Sequence, residues 1–474
     1  MINRCRNLTA EIISGEWFIP SLLLVTALSM CTGLNLAGAL AMGAVTVWLL
    51  LFSDDTLAAL CPVMFAVMGL TSYYSNYYAL LDYVWLLSPI VPALAVHIIA
   101  YRGERFTGGR FLPSLIAVSL SLVLGGIGTI SPAEYFSGIS FYYIIGLGAG
   151  LVLLYMLVSS RLSRRRSYDI VERFAELLYA MAILAALLIA LFYLKNWHTL
   201  MQNFKTPFIA YRNFCTTIML FGMPMCCLFI RRNSFHLFGM AFIYAFMLIG
   251  GSRSAMFFGT LELMLCLGYI YVSHPEKRRE YRIIAMISAL PVMLVGLYLL
   301  DKFFLGETGR FSKHFIRPDE ARPGFYRQGL QDFLSRPILG YGIANMKNAG
   351  IYKGINGSII FYHNAVLQVM GSLGLVGCAA YLWQMCSRVR LLWKKRHRDA
   401  FVMVIPYIGI LLMSMTNPGL FCPMPTAALL VVMFAVVEYE NSPVRIYARA
   451  PYRRAGSSGQ AAHAGAFTAG SPNR

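Results

Sequence analysis

The chain has 474 residues, 58% of them hydrophobic and only 13% charged, with a mean hydropathy of +0.62. A soluble domain carries about twice that share of charge, so a soluble enzyme and a disordered chain are both excluded. The formal net charge of +19 lies mostly in short connections between apolar runs, which excludes nucleic acid as the partner it serves.

Roughly fourteen apolar stretches follow one another, each near the length that crosses a bilayer as helix. They lie at 17–36, 38–53, 56–73, 84–100, 112–130, 139–159, 174–194, 208–230, 235–250, 254–273, 283–303, 364–384, 401–416 and 423–438. Backbone groups in lipid must bond within their own segment, so each stretch is expected to be a helix. The expected fold is all-α, a polytopic transmembrane bundle of about 12–14 spans with one long outward-facing loop. The first run resembles no removable leader, because others follow it without a small-residue cleavage pattern.

Loop charge sets the expected orientation. With the N-terminus in the cytoplasm, the inner segments hold most of the 40 Lys and Arg. These include Arg102, Arg105 and Arg110, then Arg161, Arg164 and Arg173, then Arg231 and Arg232, then Lys277 to Arg282. Arg388 to Arg398 and the tail from Arg445 follow. The short outer turns hold only Lys195, Lys205, Arg212 and Arg253. That asymmetry is the positive-inside pattern, and it puts both termini in the cytoplasm. The basic excess then faces anionic membrane lipid. The ten cysteines lie mostly inside apolar runs without a paired ligand spacing, and read as small packing residues.

The chain divides into helices over 1–207, a second helical group over 208–303, a loop over 304–362, helices over 363–438, and a basic tail over 439–474. The loop far exceeds an ordinary helix-to-helix connection. Its Pro, Gly, aromatic and Arg content suits a folded cap. The Ala-, Gly- and Ser-rich end of the tail, 455–474, suits disorder.

The unusual residues gather on the expected outer side. Ser252-Arg253 stands between two spans, flanked by small residues. Within the loop come Arg322 and Arg327, then Pro337, Gly340 and Gly342. Residues 328–334 suit a short amphipathic helix that Pro337 ends, with a glycine turn after it. Then His363-Asn364 opens a run with Gly371, Gly374 and Gly377, a stripe that fits close helix packing. Each feature alone has a plain alternative: Arg253 as an interface anchor, the loop arginines as solvated charge, Asn364 as a helix cap, His363 as a structural imidazole.

Taken together, the series resembles the O-antigen ligase and polymerase family of bacterial glycan-assembly enzymes. It reads Ser-Arg, then an Arg separated by fourteen residues from Pro-x-x-Gly-x-Gly, then His-Asn separated by six residues from Gly-x-x-Gly. The resemblance runs from about Arg212 to Gly377. It implies a membrane-embedded glycosyltransferase that uses neither metal nor other cofactor. Its donor is a glycan on a polyprenyl diphosphate. Its acceptor is a hydroxyl on a lipid A core, another terminal glycan, or another lipid-linked repeat, at the outer face of the cytoplasmic membrane. The family's arginines fall on Arg253 and Arg322, and its histidine on His363. Arg212, Arg327 and Asn364 are further candidates for holding the donor.

The physical chemistry agrees with that assignment. A diphosphate leaving group needs fixed cations as its bond breaks, and the Arg fork matches phosphate oxygens at any physiological pH. An acceptor hydroxyl needs a base, and an imidazole serves near neutrality. A transporter or flippase of lipid-linked intermediates is the alternative reading. Glu262, well inside a span, is the residue it would use; a bond to a neighbouring helix's hydroxyl or amide is the plainer expectation.

Overall fold

The computed structural model describes residues 2–71, 79–101, 109–127, 138–162, 168–198, 212–250, 252–299, 321–344, 361–393, 398–417, 420–421 and 424–440. Parts of the expected long loop (304–320 and 345–360), the inner basic segments at 102–108, 163–167 and 394–397, and the tail from 441 lie outside these residues. Among the described residues every regular element is helical.

The helices, in order, are α1 (Ile2–Ser14), α2 (Phe18–Thr32), α3 (Asn35–Phe52), α4 (Thr56–Leu70), α5 (Ile90–Ala100) and α6 (Leu112–Leu124). Next, α7 starts at Gly138–Tyr143, passes through a π-helical stretch, Ile144–Gly150, and ends in Leu151–Leu162. The central pair is α8 (Ile170–Lys195) and α9 (Arg212–Phe229). After it come α10 (His236–Ile249), α11 (Arg253–Ser273), α12 (Arg278–Leu299), the loop helix α13 (Ala321–Ser335), α14 (Ala365–Trp393), α15 (Arg398–Ser414) and α16 (Met424–Glu440). A helix lies over every apolar stretch expected from the sequence.

Among the described residues, six helical segments are by themselves long and apolar enough to cross a membrane: α3, Ser140–Leu162 of α7, α8, α9, Ser254–Ser273 of α11, and α14. A seventh is reached if α1 and α2, which meet at 81°, form one span. Thr56–Leu70, Ile90–Ala100, Leu112–Leu124, His236–Ile249, Val402–Ser414 and Met424–Tyr439 are apolar but only 10–17 residues long. The chain is a multi-pass membrane protein.

The core sits on α8 and α9, whose apolar windows are 61% and 83% buried against 28% for α3 and α11. α8 packs on α2, α4, α9, α10 and α16, so it is apolar on all sides. Its start is fixed by Asp169, whose carboxylate accepts from Val171 N at 2.9 Å and Glu172 N at 3.1 Å. Such a cap contributes about 1 kcal/mol. At that same end the Arg232 fork holds Glu172, Ser234 bonds Glu280, and Lys277 Nζ donates to Arg231 O at 3.1 Å. The basic turns of α8 to α12 therefore gather at one end of the bundle, opposite the end where Arg212, Arg253 and His363 stand.

Several expectations need correction. Arg161, Arg173 and Arg388 counted as loop charges, yet all lie in helices and are 3%, 4% and 7% exposed. Arg161 donates to Tyr101 O at 2.8 Å. Arg173 donates to Gly15 O at 3.2 Å and pairs with Glu176 at 3.4 Å. Arg388 stacks among Phe111, Tyr407 and Phe434, at 5.4–6.0 Å from each ring centroid. Aromatic faces and carbonyls replace water around these cations, so a charge run does not mark the helix end. α14 accordingly continues to Trp393, past the expected limit of 384. α5 starts at Ile90, and the residues before it form a 3₁₀ helix, Ala79–Leu87. Glu262 finds no hydroxyl or amide. It is 1% exposed, and neither carboxyl oxygen has a hydrogen-bond partner among the described residues.

Candidate active site

The site begins with helix starts. Arg212 is the first residue of α9 and Arg253 the first of α11, while Arg322 is the second residue of α13. His363 stands two residues before α14. The first backbone amides of a helix have no partner within it and carry a partial positive charge. Arg212, Arg253, Arg322 and His363 therefore stand where a helix already favours an anion, whereas Arg327 lies in the middle of α13.

Side-chain bonds bring these starts together. Ser252 Oγ donates to Asn213 Oδ1 at 3.1 Å, joining the start of α11 to the start of α9. Asn213 Nδ2 in turn donates to Asn417 Oδ1 at 2.9 Å, just beyond the end of α15. Thr416 Oγ1 donates to Ser254 Oγ at 2.7 Å, returning to α11. Asn364 caps α14 through its Oδ1, which accepts from Val366 N at 2.9 Å and Leu367 N at 3.1 Å. Its Nδ2 donates to Met415 O at 3.1 Å. The capping alternative for Asn364 is thus correct, and the residue also ties α14 to the same knot.

The loop helix meets this knot at His363. The Phe325 ring lies 5.3 Å from the imidazole, centroid to centroid. Arg327, on the same helix, is exposed. α13 is longer than the expected 328–334, because Pro323 falls in its first turn, where a missing N–H costs nothing. Pro337 follows its end, as expected.

The glycine stripe does not pack as expected. α14 breaks at Gly374, with φ 62° and ψ −156°, a conformation that a side chain disfavours. The turn over 337–342 fills the break and satisfies the freed groups. Leu375 N donates to Pro337 O at 2.7 Å and Val376 N to Ile338 O at 3.2 Å. In return, Tyr341 N donates to Gly371 O at 3.0 Å and Gly342 N to Ser372 O at 2.7 Å. A Cβ on Gly374 would lie 2.4 Å from Ile338 O. The two glycine motifs are therefore halves of one joint that fastens the loop to the helix bearing His363.

Among the described residues no group of three or more His, Cys, Asp or Glu side chains is disposed to hold a metal. Two sets of residues escaped the sequence reading. Thr416 and Asn417 tie the helix starts through Asn213 and Ser254; the signal was a polar Thr-Asn pair closing an apolar run. Asp332 and Tyr362 join the loop helix to α14, and thirty residues separate them. Nothing in their local pattern announced the pair. His198 lies in a described segment but no bond joins it to the knot, and His314 lies outside the described residues.

With this geometry in place, the comparison with known families can be set beside it. A family model described as O-antigen ligase matches residues 238–382. The chain carries an O-antigen ligase domain. That domain contains Arg253, Arg322, Arg327, His363, Asn364 and both halves of the glycine joint, while Arg212 precedes it. The match over these residues supports glycan transfer of the O-antigen ligase type. No curated protein and no solved structure matches the chain.

Proposed function

We propose that this O-antigen ligase domain moves a glycan from a polyprenyl diphosphate to an acceptor hydroxyl at the outer face of the cytoplasmic membrane, without a metal ion. The observation that supports this reading most directly is the knot of helix starts beside Arg212, Arg253 and His363, tied together by bonds of 2.7–3.1 Å. Aligned amides and guanidinium groups suit the diphosphate. Arg253 and Arg322 hold it, and Arg212, Arg327 and Asn364 border it. They stabilise the charge that grows on the leaving oxygen.

The acceptor oxygen attacks the anomeric carbon as the bond from that carbon to the diphosphate oxygen breaks. The bonding pair leaves with the diphosphate, and His363 takes the acceptor's proton. The lipid A core, another terminal glycan and a second lipid-linked repeat all present such a hydroxyl, so this donor chemistry serves ligation and polymerisation alike. Both termini and the basic turns face the cytoplasm, which puts the knot on the side where the lipid-linked donor is presented.

The test pairs donor binding with turnover. His363→Ala lowers turnover by about a hundred- to ten-thousandfold and leaves donor binding intact. Loss of binding together with turnover would make His363 a phosphate ligand and overturn its role as base. Turnover also declines on acidification in the wild type, as the imidazole takes up a proton.

A further inference from the structure

Tyr362, immediately before His363, is held on every side. Its hydroxyl donates to the Asp332 carboxylate of α13. Its backbone N–H donates to Gln368 Oε1 at 3.1 Å, and Gln368 Nε2 donates onward to Ser372 Oγ at 2.9 Å. Its ring is seated between two glycines. A Cβ on Gly329 of α13 would lie 3.1 Å from Tyr362 Cγ, and one on Gly371 of α14 only 2.8 Å from Cε2. Asp332 is 5% exposed and also accepts from Gln328 Nε2 at 2.7 Å.

His363 itself has φ 52°, the left-handed region. A side-chain-bearing residue persists there only where its surroundings over-determine it, and such positions cluster at functional sites. The Phe325 ring beside the imidazole comes from the same helix as Asp332. About two turns of α13 thus carry both the contact to the imidazole and the anchor of the residue before it.

We infer that Asp332 is a positioning residue for His363: by holding the Tyr362 hydroxyl, it fixes the left-handed backbone from which the imidazole reaches the acceptor. The inference rests on the proposed role of His363 as base. The clamp spans the loop helix and α14, so the base is set in place only when the loop is docked. A small displacement of a catalytic group costs about a hundredfold in rate without changing which substrates bind.

The experiment uses the full chain with a lipid-linked glycan donor and compares Tyr362→Phe, Asp332→Ala, Asp332→Asn and His363→Ala, each checked for its melting temperature. Tyr362→Phe keeps the ring in its slot and removes only the bond. It lowers kcat by about ten- to a hundredfold with the donor KM unchanged, the pattern of an interaction that matters only in the transition state. Asp332→Ala does the same. Asp332→Asn, whose amide oxygen still accepts from Tyr362, recovers most of the kcat. Wild-type kcat in Tyr362→Phe, beside an inactive His363→Ala, overturns the clamp and leaves the base intact. Equal damage in Asp332→Asn and Asp332→Ala, or a rise in donor KM that matches the fall in kcat, also overturns it. Full turnover in His363→Ala overturns the base, and the clamp falls with it.

Discussion

At the residue scale the arginines are the sharpest claim. Arg253→Lys and Arg322→Lys keep a charge at the helix start but lose the planar fork, so transfer drops sharply in both. Arg327→Ala lowers transfer less than either, because Arg322 stands at the motif spacing from Pro337 and Arg327 only borders the donor. Glycan assembly measured at matched protein levels checks all three. An inactive Arg327→Ala beside a healthy Arg322→Ala would shift the register of the loop by five residues. Asp332 offers a pH test. Burial raises its carboxyl above the ordinary range, against the lowering effect of the bonds from Tyr362 and Gln328. A raised carboxyl supports the fold while protonated, and that support is lost as pH rises from its unfolded value, about 3.9, through the folded one. The wild type therefore loses melting temperature relative to Asp332→Asn as pH rises across that window. A gap independent of pH contradicts this. Arg253, Arg322 and His363 could be singled out from the sequence because motif spacing marks them. Asp332 and Asn417 could not, since each acts through a partner that only the folded chain brings near.

At the element scale the joint between the 337–342 turn and α14 organises the site. Three glycines at three-residue spacing look in sequence like a packing face, and only the backbone angles show that Gly374 ends one helix and starts another. Gly374→Ala combines a strained conformation, worth about 1–3 kcal/mol, with a Cβ 2.4 Å from Ile338 O. It lowers the melting temperature and impairs transfer. Gly409→Ala sets a Cβ 1.7 Å from Glu262 Oε1 and destabilises by about 1–3 kcal/mol through overpacking. Gly268→Ala is the control, because nothing lies within 4 Å of its Cβ. It leaves stability unchanged or slightly raised. Melting in detergent ranks the three, and equal behaviour of Gly268→Ala and Gly374→Ala would contradict the joint. The loop helix was legible in part. Its end followed from Pro337, but its start lay beyond a Pro and a Gly that read as loop.

At the scale of the whole molecule, the helices were legible because apolar length is a one-dimensional property that lipid enforces. The ends of the spans were less so: Arg161, Arg173 and Arg388 carry charge into the bundle and find rings, carbonyls or Glu176 there. Single-cysteine labelling, in a background without native cysteines, checks the orientation. A cysteine at 328 is labelled from outside and one at 164 only after permeabilisation; the reverse would place the knot on the wrong side for its donor.

The most direct test of the account supplies the purified chain with a polyprenyl-diphosphate-linked glycan and an acceptor in the presence of a chelator, and measures released polyprenyl diphosphate against glycan transferred. The account predicts release in step with transfer, undiminished by chelation and lost in His363→Ala. Movement of the intact lipid-linked glycan across a vesicle membrane with no polyprenyl diphosphate released would contradict it, and would make the chain a carrier.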